Sequence, residues 1–368
     1  MELLLSSRRN LTLDALKALA IFLVVLTHIF QRTIPNYGST DCWWAQIIYL
    51  LCVPIFFFLS GISYSKKKEL SPLAFIYDIL KRGFLYFWPF LFFILLRIGI
   101  YNQWNNVSDA FDELMKYPVS GLWVCWILVF ITIVLDIGLL ISKLYPKLKK
   151  LFVSIMFIIG IVILLILRDK NIIDNDSFIG YNYFIIYTPL FLVGYLLGDN
   201  YFKIKKPIIS IIISIISLTG LIVLCYYKRK FMSVHFYDDV WYNYLACLLS
   251  LGVYLGIVEI FKKLQKTQKI FAICGKYTLE IYFIHLIILK AFSELFYFST
   301  SVTILVIIGL LLLCFVSTGI IILLTYYVPF LHFILFGKHF SRYDWEDKIW
   351  DAPKELVYDL VDEKTKQS

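Results

Sequence analysis

Charged side chains are scarce in this 368-residue chain. Asp, Glu, Lys and Arg make up 17% of it, 60% is hydrophobic and the mean hydropathy is +0.79, where globular domains carry about a quarter charged residues. A water-soluble protein of this length has no means of burying so much apolar surface, so a soluble enzyme is excluded. Disorder is excluded as well, because disordered chains are poor in aromatics and 18% of this chain is aromatic. No two of the seven cysteines (Cys42, Cys52, Cys125, Cys225, Cys247, Cys274 and Cys314) stand in C-x-x-C spacing. That excludes a disulfide framework or a cysteine metal site and leaves them as small buried apolar residues. No zinc-finger or RNA-binding signature accompanies the net charge of +9. The basic excess is therefore assigned to membrane topology and lipid contact, and not to nucleic acid. No internal repeat and no low-complexity segment is present.

What the chain does have is long apolar runs. About ten segments are long enough to cross a ~30 Å hydrocarbon core, at 13–31, 44–64, 84–101, 121–142, 151–168, 183–198, 207–227, 239–261, 271–292 and 302–334. They are too long for membrane strands, so the expected class is an all-α integral membrane protein. Arg8 and Arg9 precede the first run as in a signal peptide, but the run lacks a cleavage motif and is read as a retained span. The last segment is expected to tilt or to end along the interface near Pro329. Lys and Arg divide 25 to 8 between the two sets of loops, in favour of the N-terminal side, which places both termini in the cytoplasm. Residues 337–368 form a short charged cytoplasmic tail, in which Trp345, Ile349, Leu356 and Leu360 share the face of a helix suited to lying on the membrane surface.

Against this background the polar residues inside apolar runs carry the information, because each is costly to insert. Asp14, Lys17 and His28 fall within about 60° of arc on the first helix, with His28 roughly 21 Å along the axis from Asp14. Asp14 and Lys17 are spaced to pair at i,i+3. A polar stripe of this kind fits a functional path, and it also fits capping of the helix plus one interhelical hydrogen bond. In the second span Pro54 and Ser60-Gly61 permit close helix approach. Lys81 and Arg82 open the third span, where a cation pair either fixes topology or meets an anionic phosphate. Asp136, Trp123 and Trp126 are further costly or interfacial residues. In the ninth span Thr278, Tyr282 and His285 face one way. A second histidine in a second apolar helix points to a site.

These motifs resemble the integral-membrane acyltransferase 3 family, whose members acylate sugars of polysaccharides, lipopolysaccharide, nodulation factors and similar substrates. Arg9-x4-Asp14-x2-Lys17, running on to Val24-Val25-Leu26-Thr27-His28, is similar to the family's first-helix element. Val53-Pro54-Ile55-Phe56-Phe57-Phe58-Leu59-Ser60-Gly61 looks like its Pro-Phe-Phe and Ser-Gly element. Gly121-Leu122-Trp123 and Tyr187-Thr188-Pro189-Leu190-Phe191-Leu192-Val193-Gly194-Tyr195 resemble two further segments. Gly275-Lys276-Tyr277-Thr278-Leu279-Glu280-Ile281-Tyr282-Phe283-Ile284-His285 is similar to the family's late signature. The matches run in family order from about residue 9 to residue 285.

The resemblance implies that residues 1–336 are a multi-span acyltransferase domain. It implies transfer of an acyl group, usually acetyl from acetyl-CoA, to a sugar hydroxyl of a cell-surface glycan or its lipid-linked precursor at the bacterial cytoplasmic membrane. Catalysis falls to His28, with Asp14 and Lys17 along the same helix. Donor binding falls to Lys81 and Arg82, although a second arginine common in the family is replaced here by Tyr86. The acceptor falls to Ser60, Trp123, Tyr282 and His285. No metal is expected. A separate extracytoplasmic protein is the expected partner where acyl handling requires one, because this chain carries no hydrolase-like domain after its last helices. His28 acts either as a general base on the acceptor hydroxyl or through an acyl-histidine. A multi-span transporter or flippase, or a glycan polymerase, is the rival reading of the same polar stripes.

Overall fold

A computed structural model of the chain describes residues 10–34, 43–100, 123–170, 181–203, 206–231, 240–295 and 304–337. Of the expected tail at 337–368, all but Gly337 lies outside the described residues. Among the described residues the secondary structure is entirely helical. The helices are α1 (Leu11–Thr33), α2 (Trp43–Tyr64), α3 (Pro72–Arg82), α4 (Trp88–Ile100), α5 (Trp123–Ser142), α6 (Lys149–Asp169), α7 (Tyr181–Leu197), α8 (Pro207–Phe231), α9 (Val240–Lys263), α10 (Gln265–Gly275), α11 (Thr278–Leu295), α12 (Ile304–Tyr327) and α13 (Pro329–Phe336).

Among the described residues seven helices are long and apolar enough to cross a membrane, and an eighth span arises if the bent pair α10–α11 counts as one. Of the other expected spans, 183–198 corresponds to α7, with 17 described residues. Segment 84–101 corresponds to a π-helical turn, Gly83–Phe87, followed by the 13 described residues of α4. The segment expected as one continuous ninth span, 271–292, is bent by 69° between α10 and α11. The last segment breaks at Val328, as Pro329 suggests, because proline cannot donate the backbone hydrogen bond that a continuous helix needs.

The chain divides into two compact units, Met1–Lys66 with Ile185–Val316, and Lys67–Phe184 with Ser317–Ser368. In the first unit α1 is central and packs against α10, α2 and α11. Its start is fixed by Asn10, whose side chain accepts from Thr12 N and Leu13 N and so satisfies two of the orphan donors of the first turn. Buried Ala15 and Ala18 keep one face of α1 thin, and small residues are what let helix backbones close on each other where lipid removes the hydrophobic drive. The same device joins α2 and α7. A Cβ on Gly61 would fall on the Phe191 carbonyl oxygen, and one on Gly194 on that of Phe58. Phe57 stacks on Tyr187 beside this crossing, at 4.7 Å between ring centroids.

In the second unit α5 packs against α6 and α3. Ser71 caps α3 by accepting from Ala74 N at 3.2 Å, with Pro72 in the first turn, where its missing N–H costs nothing. Gly138 on α5 closes onto the Val153 backbone of α6. Gly337, in the left-handed conformation at φ +64, ends α13. α5 presents a half-buried surface, with 56% of its apolar window covered, whereas α6 has 17% covered and offers Ile158, Ile163 and Ile166 outward as lipid-facing side chains.

The backbone-on-backbone crossing yields a test. Gly61→Ala or Gly194→Ala is expected to lower stability by about 1–3 kcal/mol, the usual cost of overpacking. Gly309→Ala, which meets nothing within 4 Å, is expected to be neutral. Thermal unfolding of the detergent-solubilised protein reads the difference.

Candidate active site

Two helices from distant parts of the chain place two histidines side by side in the first unit. His28, five residues before the end of α1, and His285, in the second turn of α11, have ring centroids 5.3 Å apart with planes inclined at 39°. Tyr282, one turn before His285, lies 5.9 Å from its ring. His285 is fully buried, and His28 is half-buried.

Hydrogen bonding settles the tautomer of both rings. His28 Nδ1 meets Gln31 Oε1 at 2.8 Å, and His285 Nδ1 meets the Ile281 carbonyl oxygen at 2.9 Å. Each partner is an oxygen that only accepts, so each Nδ1 carries the hydrogen. A neutral imidazole with its hydrogen on Nδ1 leaves a basic lone pair on Nε2. His285 Nε2 is buried and has no hydrogen-bond partner among the described residues. The arrangement is therefore two imidazoles in contact, each pinned through Nδ1 and, in its neutral form, basic at Nε2.

The bend between α10 and α11 creates this contact. Lys276 N and Tyr277 N donate to Ile273 O and Cys274 O, tightening the last turn of α10, and Tyr277 O accepts from Ile281 N to open α11. Thr278 Oγ1 donates to Gly275 O at 3.5 Å. Gly275 rests on the Asp14 backbone, and a Cβ there would meet the Asp14 carbonyl oxygen. The start of α1 thus sets where α11 begins, and nearly two turns of α11 carry His285 to His28.

The other expected residues occupy different places. Asp14 is buried at the start of α1 against Gly275. Lys17 Nζ donates to Ser63 Oγ at 2.9 Å. Because α1 is continuous, Asp14 and Lys17 stand roughly 21 and 16 Å along its axis from His28, so neither reaches a group reacting at that ring. Ser60 is half-buried one turn before Ser63 on α2, and Ser63 is the residue that meets the stripe. Trp123, in the second unit, stacks on Tyr183 at 4.2 Å.

Lys81 and Arg82 also lie in the second unit. Lys81 is half-buried. Arg82 is buried and its donors go to the protein itself: Nη2 pairs with Asp136 Oδ2, Nη1 donates to Thr132 O at 2.9 Å, and Nε donates to Asp78 O at 3.1 Å. Asp136, fully buried on α5, also receives Lys67 Nζ at 2.7 Å, and Lys67 reaches Asp78 at 2.8 Å. Two cations and two carboxylates thus form a neutral cluster that ties α3 and the segment before it to α5. The π-helical turn, a distortion often found at functional sites, follows Arg82 directly. Sequence reasoning missed Lys67, Asp78, Ser63 and Gln31. A lone carboxylate in an apolar run, Asp136, was the signal that a cation must approach it. Among the described residues no group of three His, Cys, Asp or Glu side chains gathers as a metal site requires.

The described residues are thus all-helical in their secondary structure, with several membrane-length helices and two histidine rings in contact, one of them fully buried. The acyltransferase 3 family, described as an acyltransferase domain, matches residues 10–351, and the chain belongs to this family. It is similar to nodulation protein NolL of Sinorhizobium fredii (strain NBRC 101917 / NGR234), 25% identical over 203 residues that make up 53% of this chain and 50% of that protein. The chain therefore spans about half the length of the curated relative it matches. No solved structure gives a significant match.

The buried cluster yields a prediction separate from the histidines. Asp136→Ala takes away the carboxylate partner of Arg82, leaving two cations against Asp78 alone, and is expected to cost about 3–5 kcal/mol. The double substitution Asp136→Leu with Arg82→Met leaves Lys67 and Asp78 as a balanced pair and is expected to recover most of that loss. Melting temperatures of the three proteins in detergent report it.

Proposed function

We propose that this chain is a membrane-embedded O-acyltransferase that moves an acyl group, normally acetyl, from acyl-CoA to a sugar hydroxyl of a cell-surface glycan or its lipid-linked precursor. Family membership supports acyl transfer, and NolL, to which the chain is similar, is a nodulation protein. The observation that carries the reading is the pair of neutral imidazoles with basic Nε2 atoms. Ester formation from an alcohol needs a group to take the hydroxyl proton, and an imidazole held neutral is suited to it near neutral pH.

In this reading His28 is the reacting ring, and Tyr282, Ser60 and Trp123 belong to the acceptor side. Lys81 supplies cationic charge to the donor's phosphates, and Arg82, held on Asp136, fixes the turn from which Lys81 projects. Asp14 and Lys17 hold the start of α1 and do not act on the substrate. The protein is assigned to the bacterial cytoplasmic membrane with both termini in the cytoplasm and about ten spans, a topology supported by the 25 to 8 division of basic residues. The donor is then taken from the cytoplasm, and a separate extracytoplasmic protein takes over acyl handling where the acceptor requires it.

Transfer of labelled acetyl from acetyl-CoA into glycan, measured in isolated membranes, tests the reading. His28→Ala is expected to reduce the rate by about 10²-fold or more, the contribution typical of a positioned proton-transfer group. Lys81→Ala is expected to raise the KM for acetyl-CoA with a smaller effect on kcat. Full acylation by the His28→Ala protein rules out the assignment of His28.

A further inference from the structure

The first unit holds one basic nitrogen more than direct transfer needs. Deprotonating an acceptor hydroxyl takes a single imidazole, and the second, fully buried, has an Nε2 with no hydrogen-bond partner among the described residues, an arrangement that costs stability unless it is used. The two rings do not satisfy each other in the neutral state, because each has its only hydrogen on Nδ1, directed at Gln31 Oε1 or at Ile281 O. Each ring can act only through Nε2. His28 is half-buried and reachable, and His285 is wholly enclosed behind it.

We propose that His28 is a nucleophile that carries the acyl group and that His285 is the base for the acceptor. The proposal rests on the acyl-transfer reading above and specifies its chemistry. In the first step the His28 Nε2 lone pair attacks the thioester carbonyl carbon. The carbon–sulfur bond breaks, the coenzyme leaves as its thiolate, and the ring becomes a cationic acyl-imidazolium that keeps its Nδ1 hydrogen. Gln31 Oε1 then accepts from a charged donor, a hydrogen bond roughly twice as strong as a neutral one. In the second step the acceptor hydroxyl oxygen attacks the acyl carbon and its proton passes to His285 Nε2. The bond from the acyl carbon to His28 Nε2 breaks, returning His28 as the same neutral tautomer. Protonated His285 finally gives its proton to the thiolate, so the products are ester and thiol.

The contact geometry suits this division of labour. With ring centroids 5.3 Å apart, a hydroxyl attacking a group carried on one ring lies within hydrogen-bond reach of the other. Nδ1 of His28 never has to lose its proton, which agrees with its being tied to an acceptor that cannot take one. Complete burial of His285 keeps bulk water away from the base, so that the acyl group is not lost to hydrolysis.

The purified protein in detergent, given unlabelled acetyl-CoA and radiolabelled CoA with no acceptor, separates the two mechanisms. The wild type is expected to move label into acetyl-CoA, because the first step is reversible without acceptor. His28→Ala is expected to lose this exchange. His285→Gln is expected to retain it within a few-fold, to retain an acetyl label on the protein that the double variant His28→Ala/His285→Gln lacks, and to transfer to glycan at least about 10²-fold more slowly. Absence of exchange in a wild-type preparation that acetylates glycan in membranes overturns the acyl-histidine while leaving the acyl-transfer reading intact. Absence of both activities overturns the two together. Unimpaired glycan transfer by His285→Gln overturns the base role of His285. Because the wild-type exchange needs no variant to fold, it decides the first step by itself.

Discussion

The position of His285 depends on a contact that contains no side chain. Gly275 lies on the backbone of Asp14, and any larger residue would push α10 away from the first turn of α1. In a lipid-facing bundle close packing, not water exclusion, holds helices together, and the closest packing comes where backbone meets backbone. From that point the 69° bend and nearly two turns of α11 deliver the second imidazole to the first. The bend is tolerable inside apolar surroundings because its freed groups find local partners, two backbone N–H groups within α10 and Gly275 O through Thr278.

The protein handles its costly polar groups in two different ways. In the first unit the histidines are kept neutral, and each uses its one N–H on an oxygen. In the second unit Lys67, Asp78, Arg82 and Asp136 stay ionised and cancel one another. The first arrangement leaves a lone pair available, and the second leaves nothing over. Only an unsatisfied group has free energy to contribute to a substrate, which is why the chemistry is assigned to the histidines, and why Arg82, with donors directed at Asp136, Thr132 O and Asp78 O, is read as a fixture of its helix turn.

Much of this was legible in the sequence. Helical periodicity was enough to put Asp14, Lys17 and His28 on one face of α1, and the appearance of His285 in a second apolar run was enough to suggest a site. Contact between the rings was not legible, because it comes from the pairing of α1 with α11, two helices separated by most of the chain. The bend after Gly275 was hidden by the unbroken hydropathy of 271–292, in which Lys276 and Tyr277 read as ordinary interface residues. Lys67 was lost within the run Lys66-Lys67-Lys68, where basic residues usually report topology, and Arg82 for the same reason was read as facing a ligand and not Asp136. Ser60 was singled out by its place beside Gly61, whereas one turn further on it is Ser63 that accepts from Lys17.

The order of the charged cluster along the chain bears on how the protein is made. A bare carboxylate near the middle of a membrane helix costs about 3 kcal/mol at insertion, and Asp136 sits in a helix otherwise without ionisable residues. Its counter-charges, Lys67 and Arg82, are both synthesised before it. The ribosome has therefore already delivered the cations when α5 leaves the translocon, and Asp136 can partition into the bilayer against a waiting partner. Read from the opposite end the same cluster would have to hold Asp136 unmatched in lipid until Arg82 and Lys67 arrived, so the direction of synthesis sets the lower-energy route to the folded second unit.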